Sequence, residues 1–309
     1  MKNSNRLGYA CINLSLGKNV TSNRSMTKKT FLQRGKSYAS ELALLNTTDL
    51  VKIMEWNRDN GVGFYRVSSD IIPWMSEFGL ESLPDWNAIR DNFMQFGSIA
   101  RDNGIRVEFH PGHFTILCSQ KPGVVSNAID DIEKHSQMLD AMGYIPGFDN
   151  DINIHIGASY GDKPAAAKLW CQNWKLLSEG ARKRLVVEND DKETMYSVRD
   201  LYDMVYSEVG VPITFDHFHH IHCTGGMDAY EAAELAASTW PHPFEPVQHY
   251  SSSRRNNEDP KAKHQAHADW IYEKIDPYIS NAWVMVESKM KDLSIIKYKE
   301  LNEADPSFC

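Results

Sequence analysis

The chain has 309 residues, of which 42% are hydrophobic and 24% charged, a globular mixture that excludes an intrinsically disordered chain. No apolar run approaches the ~20 residues of a membrane span. The five cysteines, Cys11, Cys118, Cys171, Cys223 and Cys309, contain no CxxC pair, which disfavours a disulfide framework or a thiolate zinc site and points to a reducing cytoplasm.

Taken in chain order, short apolar strands alternate with helical segments. The strands fall at 7–13, 64–68, 105–110, 152–156, 185–188, 213–216, 247–250 and 282–287. The helices fall at 40–60, 85–103, 124–142, 164–183, 196–208, 228–238 and 264–279. Asn60-Gly61 and Asn103-Gly104 are helix stops placed just before a strand. Near-continuous apolar strands suit a parallel sheet covered by helices. Eight such units predict one (β/α)8 TIM barrel over residues 1–309, with its site at the C-terminal strand ends. No GxGxxG follows the first strand, so a dinucleotide domain has no support. Two connections are long, 14–37 and 251–263.

Net charge is −8, and it is unevenly placed. The first forty residues hold Lys2, Arg6, Lys18, Arg24, Lys28, Lys29, Arg34 and Lys36 and no acid, which leaves −16 on the remainder. A basic face on an acidic body is able to dock a phosphate backbone; a solvated basic loop explains the same residues.

The strand ends carry the chemistry. They read Ser68-Ser69-Asp70, Glu108-Phe109-His110, Asn153-Ile154-His155, Val187-Glu188-Asn189-Asp190-Asp191, Asp216-His217-Phe218-His219-His220, Gln248-His249 and Val286-Glu287. A single histidine after a strand is usually structural. Six strands in a row ending in His, Asp or Glu converge on one basin, where uncompensated carboxylates repel and are costly to desolvate. Metal ions remove that cost, and mixed His/Asp/Glu ligation without Cys suits Mn²⁺ or Zn²⁺ better than Mg²⁺. His264 and His267 share a face of the last helix expected above, and one of them is placed to reach the basin. His135 and His242 read as packing or surface residues. No GxSxG elbow supports a nucleophilic serine.

An ordered set of motifs resembles the UV damage endonucleases, DNA repair enzymes on a barrel related to the AP endonucleases and xylose isomerases. The set runs from Arg6-Leu7-Gly8-Tyr9 through Asn13, Asn46, Trp56-Asn57, Tyr65-Arg66-Val67-Ser68-Ser69 and Pro73-Trp74 to His110-Pro111-Gly112. It continues with His155-Ile156-Gly157, Tyr160-Gly161-Asp162-Lys163, Val187-Glu188-Asn189-Asp190, Asp216, His219-His220, His249-Tyr250-Ser251, His267-Ala268-Asp269-Trp270 and Glu287-Ser288-Lys289. The resemblance implies incision of double-stranded DNA on the 5′ side of cyclobutane dimers and 6-4 products, and in many members at abasic sites. It implies two or three divalent ions, usually Mn²⁺, on His110, His155, Glu188, Asp216, His219, His249, His267 and Glu287, with Glu188, Asp216 and Glu287 central to catalysis.

The same resemblance places Tyr9 and Asn13 in the lesion pocket and makes His113-Phe114, usually Gln-Tyr, the probe of the duplex. Phe114 keeps an aromatic wedge. Lys28, Lys29, Arg254 and Arg255 are expected to hold phosphates. Relatives usually have a lysine two residues before the seventh-strand histidine; here it is Val247, and Asp70 is a candidate to compensate. The rival readings are an AP endonuclease, a sugar isomerase of the same barrel class, and a damage-binding protein with impaired cleavage. A monomer is expected from the task of covering one face of a duplex.

Overall fold

The computed structural model describes residues 6–304, so Lys2 and Cys309 lie outside the described residues. Eight parallel strands close into a barrel in chain order. They are β1 (Leu7–Ala10), β2 (Phe64–Val67), β3 (Arg106–Phe109), β4 (Ile152–Ile154), β5 (Leu185–Glu188), β6 (Ile213–Asp216), β7 (Val247–Tyr250) and β8 (Trp283–Val286). β8 pairs with both β7 and β1, which seals the ring. β1 and β2 approach closely at Gly8, where an added Cβ would lie 2.1 Å from the Phe64 carbonyl oxygen. Only glycine fits that contact.

The helices cover the barrel and bury an apolar core against it. α1 (Lys28–Asp59) contains one non-helical residue, Gly35, at φ 66°. The helix expected from 40 therefore gains a leading arm, Lys28–Arg34, set off by a glycine kink. α2 (Trp86–Asp102) and α3 (Pro122–Ala141) lie where the periodicity places them. The helix expected over 164–183 divides into α4 (Lys163–Trp174) and α5 (Glu179–Arg182), because Ser178 caps a new start at Glu179, its hydroxyl accepting the Ala181 N–H. α6 (Val198–Leu201) continues through a π segment (Tyr202–Tyr206) into α7 (Ser207–Val209). α8 (His217–His220) and α9 (Ala229–Ser238) follow β6.

Beyond β7 the expectation fails. Between β7 and β8 the only helix among the described residues is α10 (Arg254–Asn257), and 264–279 is irregular. Pro277 cannot continue a helix and restricts Asp276 before it. The segment's backbone groups are taken by neighbours instead: Arg254 N–H donates to Ala266, Ala268 N–H to Ser252, and Lys289 N–H to Ala268. An antiparallel bridge joins Ser253 to His267. The last helix, α11 (Lys291–Ala304), follows β8. None of the described helices is long and apolar enough to cross a membrane.

Candidate metal centre

Residues two apart on a strand share a face, so a strand whose interior alternates can send a charged or polar side chain into the barrel near its C-terminal end. Glu188 (β5) is the hub, and it is buried. Its Oε2 accepts from His110 Nε2 at 3.0 Å and from Asn153 Nδ2 at 2.5 Å. Its Oε1 has no hydrogen-bond partner: it lies 3.1 Å from the equally unpartnered His249 Nδ1 and 3.2 Å from His219 Nδ1, which donates instead to the Asn189 carbonyl at 2.9 Å. Asp216 Oδ1 caps α8 by accepting the His219 N–H, and Asp216 Oδ2 is buried without a partner.

Two groups of ligand atoms result: His110, His155 and Glu188, and Glu188, Asp216 and His219. In each, the ligand atoms lie within 4.8 Å of one another. His249 Nδ1 stands 3.6 Å from Glu287 Oε1 and 3.9 Å from Asp216 Oδ2. Close nitrogen and oxygen atoms that face one another without bonding are the arrangement a divalent ion satisfies, and the His/Asp/Glu donor set fits Mn²⁺ or Zn²⁺. His267 reaches the rim from the irregular 264–279 segment, with Nδ1 donating to the Glu287 carbonyl at 3.1 Å. Its position owes nothing to a helix face.

The electrostatics agree. Burial pushes the Glu188 carboxyl up, but His249 and His155 outweigh it and hold Glu188 well below the usual carboxylate range. Burial disfavours a proton on His249, while Glu188 favours one and lifts it to about 9; Arg66 opposes that proton. Burial likewise opposes and the carboxylates raise His155 and His219. An ion would take over the charge-balancing that these protons perform, and would release them on binding.

Three further groups in the basin, Arg66, Glu108 and Asn153, stand in motifs and strand ends that the sequence singles out, but the sequence assigns them no role of their own. Arg66 Nε donates to Glu108 Oε1 at 2.5 Å, its Nη1 to Glu287 Oε1, and its Nη2 contacts His249 Nε2 at 2.9 Å. The signal was available, since a charge inside an apolar strand needs a buried partner. Asp70 is exposed on the turn after β2 and belongs to neither of the two ligand groups. Asp190 stands beside His155, with Oδ1 3.2 Å from Nδ1.

The expected DNA contacts divide. Phe114 is 79% exposed on the loop after β3, its ring 4.1 Å from that of His113. Lys28 and Lys29 are exposed in the first turn of α1, where the helix dipole disfavours cations. Tyr9 and Asn13, by contrast, are buried. Tyr9 is fully buried against α1, its hydroxyl donating to Asn57 Oδ1 and accepting from Asn13 Nδ2. Arg254 and Arg255 are half-buried and partly committed within their loop: Arg255 donates to the Ala262 carbonyl, and Arg254 lies 3.7 Å from Asp269. The N-terminal charge is also not one face. Arg6 forms a two-pronged pair with Glu245 at the opposite end of the barrel, and Arg24 pairs with Asp49.

A family model described as UV-endonuclease UvdE matches residues 5–306. The chain belongs to the UV-endonuclease family. A UV DNA damage endonuclease of Clostridium perfringens is 32% identical over 96% of this chain and 72% of its own length. The crystal structure of SacUVDE superposes with a TM-score of 0.84 at 27% identity, covering 97% of this chain and 98% of that one. Endonuclease IV from Thermus thermophilus shares the fold alone, with a TM-score of 0.56, 12% identity, and 82% and 93% of the two chains covered.

Proposed function

We propose that this family member is a Mn²⁺-dependent endonuclease that cuts double-stranded DNA on the 5′ side of UV photoproducts and also at abasic sites, with residues 1–309 acting as one domain in a reducing cytoplasm. The observation that carries the reading is the pair of ligand groups sharing Glu188, on the same barrel end as the exposed Phe114. His110, His155, Glu188, Asp216 and His219 would hold two ions, and His249, His267 and Glu287 complete the shell. Bound ions supply the acidity that activates water and the charge that stabilises a leaving 3′ oxygen. The chain's own part is to hold the ligands rigid and to bend or open the duplex. Photoproducts weaken stacking, which lowers the cost of opening the site. Phe114 fills the gap in the stack, and Lys28 and Lys29 hold the backbone.

The test is nicking of supercoiled plasmid, UV-irradiated or not, in Mn²⁺ or chelator. Nicking is expected only with damage and metal together. Glu188→Gln is expected to lose ions from both groups and to reduce nicking to background while keeping the fold. Equal nicking of undamaged plasmid, or nicking in chelator, would overturn the reading. Binding of irradiated DNA without nicking would favour a damage-binding role.

A further inference from the structure

Two buried ion pairs lie beneath the basin, Arg66–Glu108 next to the ligands and Arg106–Asp151 further back on β3. Arg66 and Glu108 are neighbours in register on β2 and β3, both buried. Glu108 is fully inaccessible, and its Oε2 has no hydrogen-bond partner. On β7 the residue two before His249 is Val247, packed in an apolar cluster with Phe64, Val186 and Met285. β7 therefore brings no charge beneath its own ligand. The charges that touch the ligand side chains come from Arg66 and Glu108, with Arg106 and Asp151 paired to each other behind them.

Guanidinium geometry makes the pair directional. Arg66 uses three different nitrogens on three different partners: Nε on Glu108 of β3, Nη1 on Glu287 just after β8 and Nη2 on His249 of β7. A planar fork fixed at its Nε holds its other two nitrogens in fixed directions. The groups so held are a carboxylate and an imidazole at the edge of the ligand shell.

We propose that Arg66, anchored by Glu108, is a positioning residue that sets Glu287 and His249 for the ions. The proposal rests on the metal-dependent reading above. Glu108 locks the guanidinium from below; the guanidinium then fixes which Glu287 oxygen and which His249 nitrogen remain turned toward the ligand groups. Partners of this kind behind metal ligands govern ion affinity, typically by 10–100-fold.

The test uses the full-length chain, stripped with chelator and titrated with Mn²⁺ by calorimetry, with circular dichroism and melting of the metal-free chain as the check on folding. Arg66→Lys keeps the charge and loses the fork, which separates positioning from charge. Glu108→Gln keeps the shape and loses the anchor. Each is expected to weaken Mn²⁺ binding by at least about tenfold. The double variant is expected to be no weaker than the weaker single by more than about threefold, because the pair acts as a unit. A purely structural pair would lower the melting temperature and leave the Mn²⁺ affinity and stoichiometry at the parent's values, and that result overturns the proposal. Should Arg66→Lys fail to fold, Glu108→Gln decides. A parent chain that binds no Mn²⁺ overturns the metal-dependent reading itself, whereas a parent that binds it, with unchanged variants, overturns this proposal alone.

Discussion

At the scale of single residues, function and support lie side by side and look alike in the sequence. Phe114 and Tyr9 are both aromatics within the family's motifs, yet one is exposed and the other is wholly buried against Asn57. Only the exposed ring is placed to enter a base stack. Phe114→Ala is expected to lower the preference for damaged over undamaged duplex by about 1–3 kcal/mol, roughly five- to 150-fold, the scale of one base–aromatic stack. Mn²⁺ affinity is expected to stay at the parent's value. Competitive binding with irradiated and plain duplexes of one sequence checks this, and an unchanged preference rules out the wedge. The strand-end acids and histidines were legible because their chemistry is unusual after an apolar strand. The pairing of Arg66 with Glu108 was not, because nothing local says that the partner of either is on the neighbouring strand.

At the scale of elements, the sequence shows a helix well where the period is long and the ends are capped, and poorly where tertiary bonds replace helical ones. α2 and α3 follow their periodicity. The 264–279 segment has apolar spacing that suits a helix, but its backbone bonds to Ser252 and Lys289 take the place of helical ones, and Pro277 bars a helix from its last turn. The stretch from Asp190 to Asp200 shows how a short helix can serve the site. Ser197 and Asp200 form a capping box at the start of α6, and Asp200 Oδ2 also takes Lys163 Nζ at 2.8 Å. Tyr196 donates its hydroxyl to the Lys163 carbonyl and its N–H to Asp190, which stands beside His155. Burial raises the Asp200 carboxyl, but Lys163 and Ser197 outweigh burial and hold it below its ordinary value of 3.8. A depressed carboxyl contributes stability that is fully present above the unfolded value and is lost as pH falls through the folded one. Asp200→Ala is therefore expected to cost about 1 kcal/mol at neutral pH, the size of a lost cap. The difference from the parent is expected to shrink below pH ~4. Chemical denaturation of the metal-free chain from neutral pH downward measures this, and a gap independent of pH would assign the loss to packing.

At the scale of the whole molecule, eight repeats of strand and helix were enough to foresee a closed barrel, because few folds accommodate that alternation. Charge was harder to place. A count of eight basic residues near the N-terminus suggests a single face. In three dimensions Arg6 ties β1 to Glu245 at the far end of the barrel, and Arg24 is spent on Asp49. Lys18, Lys28, Lys29 and Lys36 stay exposed, and two of them, Lys28 and Lys29, lie on the arm before Gly35, where Arg34 is paired with Glu41. The arm is pinned by Phe31, which stacks on Trp74 at 4.8 Å. Two lysines in a helix's first turn are unfavourable with its dipole, and an approaching phosphate reverses the sign of that cost. Phosphate contacts set affinity without reading sequence. Replacing Lys28 and Lys29 together by glutamate is therefore expected to weaken damaged and undamaged duplex alike. It should also lower the slope of log affinity against log salt by about 2, one for each phosphate deprived of its lysine. Binding isotherms at several salt concentrations measure both quantities. A loss confined to damaged duplex would make the arm a lesion reader, and an unchanged slope would mean that the arm faces solvent while the phosphates are held elsewhere on the barrel's C-terminal face.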